Sequence, residues 1–215
     1  MIDRLQQHLS DIYQVGGVHD VRDFLITDPR LARCLGAGSM LSDSSETLLM
    51  SEDGDGLALS LYLDGELISR LESADPLSRL RADLLDDLWK VLEGLSHFNC
   101  VVWKASQDRC VSLLELELQA EIDKFVGTTL LALGQGRTEL LDHLHGWLFD
   151  EVSFHDELDA EQLARYRAAN DYAARFCHAL RGRLLDDGST VLSELRRFFR
   201  LPMTDKISHI HSRTL

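Results

Sequence analysis

Between Ser96 and Val126 the spacing of apolar residues changes partway along the stretch, and this constrains the fold more than any other feature of the chain. Phe98 to Trp103 is an apolar run interrupted only by Asn99, and Ser106, Gln107 and Asp108 supply a polar turn. Leu114, Leu118, Ile122 and Phe125 then recur at helical spacing. The pattern predicts a strand over 98–103, a hairpin and a following helix. Ser112 with Glu115 three residues on reads as a capping box, the serine accepting an orphan amide while the glutamate reaches back to the cap.

Upstream, Ile2, Leu5, Leu9 and Ile12 mark an amphipathic helix stopped by Gly16 and Gly17, followed by a short helical stretch over 18–26. Asp28 caps a third helical piece with Pro29 at its first position. The stretch 36–45 reads as a surface loop, because its glycines lack the spacing of a phosphate-binding or dinucleotide loop. Strands are expected at 47–51, 57–63 and 66–71, joined by turns at Asp53-Gly54-Asp55-Gly56 and Asp64-Gly65. Asp75 and Pro76 open a long helix that ends near Gly94, with Leu77, Leu80, Leu84, Leu88, Val91 and Leu95 as its stripe. The DGDG turn is not a calcium loop, since Leu57 takes the fifth ligand position and no glutamate follows at the twelfth.

Beyond Gly127 the pattern is helical, with the best break at Gly134 to Arg137. The expected fold is therefore α+β, a small antiparallel sheet with packed helices over 1–134 and an all-helical region over 135–215 packed on it. Asp159 and Gln162 form a second capping box. The helix after it carries Leu163, Tyr166, Asn170, Ala173, Cys177, Leu180 and Leu184 at three-four spacing, a seam with one polar position. A last helix from Thr190 buries Val191, Leu192, Leu195 and Phe198 or Phe199, and Pro202 ends or kinks it.

The net charge of −14 argues against nucleic acid and anionic membrane surfaces, both of which are held by Lys and Arg. The chain from Arg181 onward has seven Lys or Arg against four Asp or Glu, a net +3 that leaves −17 elsewhere, so this segment is expected to dock on the acidic body, with an acidic partner as the alternative. No signal peptide or span of about 18 apolar residues is found, which predicts a soluble, cytoplasmic protein. Cys34, Cys100, Cys110 and Cys177 lack metal-ligand spacing and read as reduced, mostly buried thiols, with Cys100 and Cys110 facing each other only if the hairpin register allowed it.

Glu117 and Glu121 share a helical face with Lys124 in local reach, and the simplest reading is a solvated acidic face. The sharper reading is a divalent metal held by Glu117, Glu121 and His97, with Glu115, His143 and His155 as further ligands. His143 and His145 are two apart and point away from each other on one helix, so such a site needs ligands from several elements. Asn170 at the seam, and Arg196, Arg197 and Arg200 in the basic cluster, are candidate interaction residues.

The segments SHF and SLLELELQAEIDKF, with LARYRAANDYAARFC and LRRFFRL later, resemble an uncharacterised family of bacterial proteins across most of the chain, a resemblance that implies no activity. The element order expected over 18–125 is also similar to that of the small acidic chaperones of type III secretion effectors, which implies a chaperone-like interaction role. The first expectation is thus a non-enzymatic protein-interaction module without a cofactor, an adaptor, chaperone or regulator. It would be a monomer with a homodimer as the alternative, and its partners are proteins of unknown identity. The rival is a metal-dependent or carboxylate-using enzyme built on Glu115, Glu117, Glu121, His97, His143 and His155.

Overall fold

The computed structural model describes residues 1–15, 19–36, 44–53, 56–154 and 157–213. Helix α1 (Ile2–Tyr13) buries its Ile2, Leu5, Leu9 and Ile12 stripe and ends at Gln14, whose φ of 50° turns the chain out. The stretch expected to be helical over 18–26 is a 3₁₀ turn (Val21–Phe24) leading into a two-residue strand, β1 (Leu25–Ile26). Asp28 accepts from the Arg30 amide and, with Pro29, starts α2 (Pro29–Leu35) as expected.

Strands β2 (Glu46–Asp53) and β3 (Gly56–Leu63) form an antiparallel hairpin, and β1 lies parallel to β3 on its other edge, giving the order β1-β3-β2. The sheet is mixed, where a purely antiparallel one was expected, because the chain leaves β1 through α2 before the hairpin begins. Gly54 and Asp55 of the turn, and 37–43 of the expected surface loop, lie outside the described residues.

The strand expected at 66–71 is a helix, α3 (Gly65–Ala74). Asp64 is its cap rather than a hairpin residue, accepting from both the Glu66 and Leu67 amides, and Leu67 and Leu71 then fall on one buried face. Asp75, at φ 41°, ends α3 instead of opening the next helix. That helix, α4 (Leu85–Ser106), starts ten residues later than expected, runs through Gly94, and absorbs the 98–103 run that read as a strand. Gln107 and Asp108 (φ 51°) turn the chain into α5 (Leu113–Gly134), so the expected β-hairpin is a helical hairpin. With these elements helical, the order similar to the secretion chaperones is not observed.

The remaining helices are α6 (Leu141–Phe149), α7 (Ala160–Asp186), α8 (Gly188–Arg200) and α9 (Met203–Ser212). The Asp159–Gln162 capping box forms in full, whereas only half of the Ser112 box does: Ser112 accepts from the Glu115 amide, and the Glu115 carboxylate turns to two lysines. Helix α7 lays Ala173, Cys177, Leu180 and Leu184 against α5 and its neighbours, while Leu163, Tyr166 and Asn170 at the start of the seam are only half-buried. One core runs from Ile2 to Ile210 and includes residues from both sides of the 134/135 break. Cys100 and Cys177 are buried, Cys34 and Cys110 are exposed, and none is in a disulfide. No helix among the described residues is long and apolar enough to cross a membrane.

The basic C-terminal segment docks, by a mixture of apolar and charged contacts. Val191, Leu195, Phe198 and Phe199 of α8 are buried, and from α9 Lys206, fully buried, places Nζ 3.0 Å from Glu115 Oε1 and 3.3 Å from Gln119 Oε1. Lys104 of α4 meets the same Glu115 oxygen at 2.7 Å. Two turns along α5 from Glu115, Asp123 accepts from Ser96 Oγ at 2.6 Å, Gln119 Nε2 at 2.8 Å and the Tyr13 hydroxyl of α1. These bonds tie α1, α4 and α9 to one face of α5.

Burial raises Asp123 to about 6, against the pull of its three donors and Lys206. The folded state therefore holds this proton more tightly than the unfolded chain, and the stability it contributes is full below about pH 4 and lost as pH rises through 6. Tyr13→Phe deletes a donor to the charged form, so the variant should lose about 1–3 kcal/mol at neutral pH and extend that decline above pH 6. Urea unfolding from pH 4 to 8 measures both, and a loss below about 0.5 kcal/mol would mean that the network does not hold α1.

Candidate metal centre

Glu117, Glu121 and Lys124 are spaced four and three apart on α5, and Glu115, Gln119 and Asp123 occupy the opposite face of the same helix. Since α5 is buried on both faces, the acidic face expected to be solvated is packed instead against α4 and α7. Glu93 and His97, four apart on the facing side of α4, meet it. Glu46, the first residue of β2, completes the cluster from the sheet.

His97 stands at the centre with its Nδ1 3.5 Å from Glu46 Oε1 and its Nε2 3.7 Å from Glu117 Oε2. The side chains of His97, Glu117 and Glu46 are 10%, 11% and 13% exposed, low enough that water does little to screen them. His97 Nε2 and Glu46 Oε1 are buried without a hydrogen-bond partner. Lys124 Nζ bridges Glu121 at 2.6 Å and Glu93 at 3.1 Å. One ligand atom from each of Glu93, His97 and Glu117 lies within 4.8 Å of the other two. Ligands on a single ion at 2.0–2.2 Å stand about 3 to 3.5 Å apart, so rotation of these side chains by roughly an ångström closes the set.

Four carboxylates face Lys124 and His97 here, with the Arg165 guanidinium also acting on Glu117, and a buried carboxylate left uncompensated costs several kcal/mol. The titration of the cluster reflects that strain. Burial works against the His97 imidazolium, but the carboxylates of Glu46, Glu117 and Glu93 outweigh it and hold His97 at about 9. Burial raises Glu117 to about 7 against His97 and Arg165, and raises Glu46 and Glu121 above the usual carboxylate range. Burial opposes the Lys124 ammonium as well, yet Glu121 and Glu93 keep it charged. The arrangement can retain protons, or it can exchange them for a cation.

Of the residues singled out in the sequence, Glu117, Glu121 and His97 come together. Glu115 faces the opposite way, toward Lys104 and Lys206. His143 is exposed on α6, stacked on Trp147 at 5.3 Å, and His155 lies outside the described residues. Asn170 is half-buried and donates to the Phe149 carbonyl at 3.2 Å. Arg196 donates to the Ile12 carbonyl at 3.0 Å, Arg200 to those of Arg196 and Gln14 at 2.7 and 3.4 Å, and Arg197 is exposed.

Sequence reasoning missed Glu93 and Glu46. Glu93 with His97 is an i, i+4 pair, a signal hidden by reading Gly94 as a helix end; Glu46 carries no local signal, because the tertiary fold alone brings it in. Gly94 is what admits it. A Cβ there would stand 2.8 Å from Glu46 Cγ and 3.0 Å from Leu61 Cδ1. Alanine favours a helix over glycine by about 1 kcal/mol, but overpacking of about 1–3 kcal/mol outweighs it. Gly94→Ala is thus expected to lower the unfolding free energy in denaturant titration, and a more stable variant would show that the sheet does not press on α4 at this point. Comparison of the chain with protein-family models, curated proteins and solved structures gives no match.

Proposed function

We propose that this chain is a metal-binding protein whose ion is a divalent first-row transition metal held by Glu93, His97 and Glu117. The observation that carries this reading is the buried His97 Nε2, which has no hydrogen-bond partner and faces a carboxylate, with a second carboxylate in ligand range. An imidazole with two carboxylates suits Mn²⁺, Fe²⁺, Co²⁺ or Zn²⁺, whereas Ca²⁺ and Mg²⁺ take oxygen ligands and would leave the nitrogen unused. Glu46 on the far ring nitrogen would orient the imidazole, the usual task of a carboxylate behind a ligating histidine.

The protein-interaction reading draws on a different observation, the exposed Leu31 and Leu35 on α2 and Met50 and Leu57 on the hairpin. Two sets of candidate interaction residues, the second half of the α7 seam and the carbonyl-bound Arg196 and Arg200, are engaged within the chain. The metal reading therefore has the stronger support.

Protein stripped with a chelator should gain thermal stability on addition of Mn²⁺ or Zn²⁺, equivalent to about 2.7 kcal/mol at a hundred times the dissociation constant. His97→Gln and Glu117→Gln should each abolish the gain. An unchanged melting temperature in the native protein, or a gain that survives both substitutions, would rule the site out.

A further inference from the structure

The cluster divides into two halves that share Glu93. In one, Glu93, His97 and Glu117 bring three ligand atoms within 4.8 Å of one another. In the other, Lys124 Nζ lies 3.1 Å from Glu93 and 2.6 Å from Glu121, its side chain only 10% exposed. Carboxylate-bridged two-metal sites hold their ions about 3.5–4 Å apart with a shared carboxylate between them. Glu93, shared by the triad and the ammonium, stands in the place of such a bridge.

We infer that the Lys124 ammonium is a tethered substitute for a second divalent cation and limits the centre to one ion, with Glu121 as the latent ligand of the second position. The inference rests on the reading of the cluster as a metal centre. Its electrostatic basis is a balance of charge. Four largely buried carboxylates need more positive charge than one divalent ion and a neutral imidazole provide, and Lys124 supplies one further charge covalently, at no cost in metal. Removing the ammonium while keeping most of the side chain, as in Lys124→Met, which ends one atom short of Nζ, leaves Glu93 and Glu121 facing each other across the vacated position. A second cation then relieves their repulsion. Glu121 serves Lys124 in the native protein and should be dispensable for the first ion.

The test is equilibrium dialysis of the full chain against Mn²⁺, with bound metal counted by mass spectrometry and its state read by electron paramagnetic resonance. The expected stoichiometries are one ion in the native protein, two in Lys124→Met, and one again in Lys124→Met combined with Glu121→Gln. The spectra should be that of an isolated Mn²⁺ in the native protein and an exchange-coupled pair in Lys124→Met. One ion in both the native protein and Lys124→Met would overturn the inference and leave the metal centre standing. No ion in the native protein would overturn the metal centre itself. Should Lys124→Met fail to fold, the native protein still decides: an exchange-coupled pair at excess Mn²⁺ contradicts a lysine-filled second position, and an isolated ion together with one-ion binding in Glu121→Gln upholds it.

Discussion

The structure depends on a helix that is buried on two opposite faces while carrying charged side chains on both. An α-helix surrounded by protein is ordinarily apolar all round, but α5 takes Glu115, Glu117, Asp123 and Lys124 into the interior. Each needs a partner there, because a buried charge without one costs more than any single apolar contact returns. The neighbours of α5 are arranged accordingly. On one face Lys104, Lys206, Ser96 and Tyr13 are brought in from α4, α9 and α1; on the other, Glu93 and His97 come from α4 and Glu46 from β2.

The two faces balance differently. Around Glu115 and Asp123 two lysines meet two carboxylates, hydroxyls and an amide fill the remaining acceptors, and the network is neutral within itself. Around Glu117 and Glu121, four carboxylates meet Lys124, His97 and the Arg165 guanidinium, which acts on Glu117, and Glu46 Oε1 and His97 Nε2 are buried without hydrogen bonds. The first face has the character of a structural tie between helices. The second has an excess of acceptors, and it is this asymmetry, more than the number of acidic groups, that supports the metal reading.

How far the sequence revealed this follows from which signals were local. The amphipathic α1, the Asp28–Pro29 start of α2, the β2–β3 hairpin and the Asp159–Gln162 box were legible because each is decided by residues within a few positions of one another. The 98–103 run was misread because a short apolar run is equally consistent with a buried strand and a segment of helix packed on several sides, and Val101 and Val102 tip propensity toward the strand. Glu66 to Leu71 was misread because an Asp-Gly pair serves a hairpin turn and a helix cap alike. Of the cluster, Glu117, Glu121 and His97 were in view as candidate ligands; its burial was not, since α5 looks one-sided until α7 is known to cover the acidic face.

The central claim is that the excess carboxylates around His97 are there to hold a cation. Anomalous diffraction from crystals grown with Mn²⁺ or Zn²⁺, collected on either side of the metal edge, tests it most directly. The account predicts an anomalous peak enclosed by Glu93, His97 and Glu117, with the His97 ring still backed by Glu46. Data showing these side chains in place with no peak among them, or metal only at the protein surface, would contradict it.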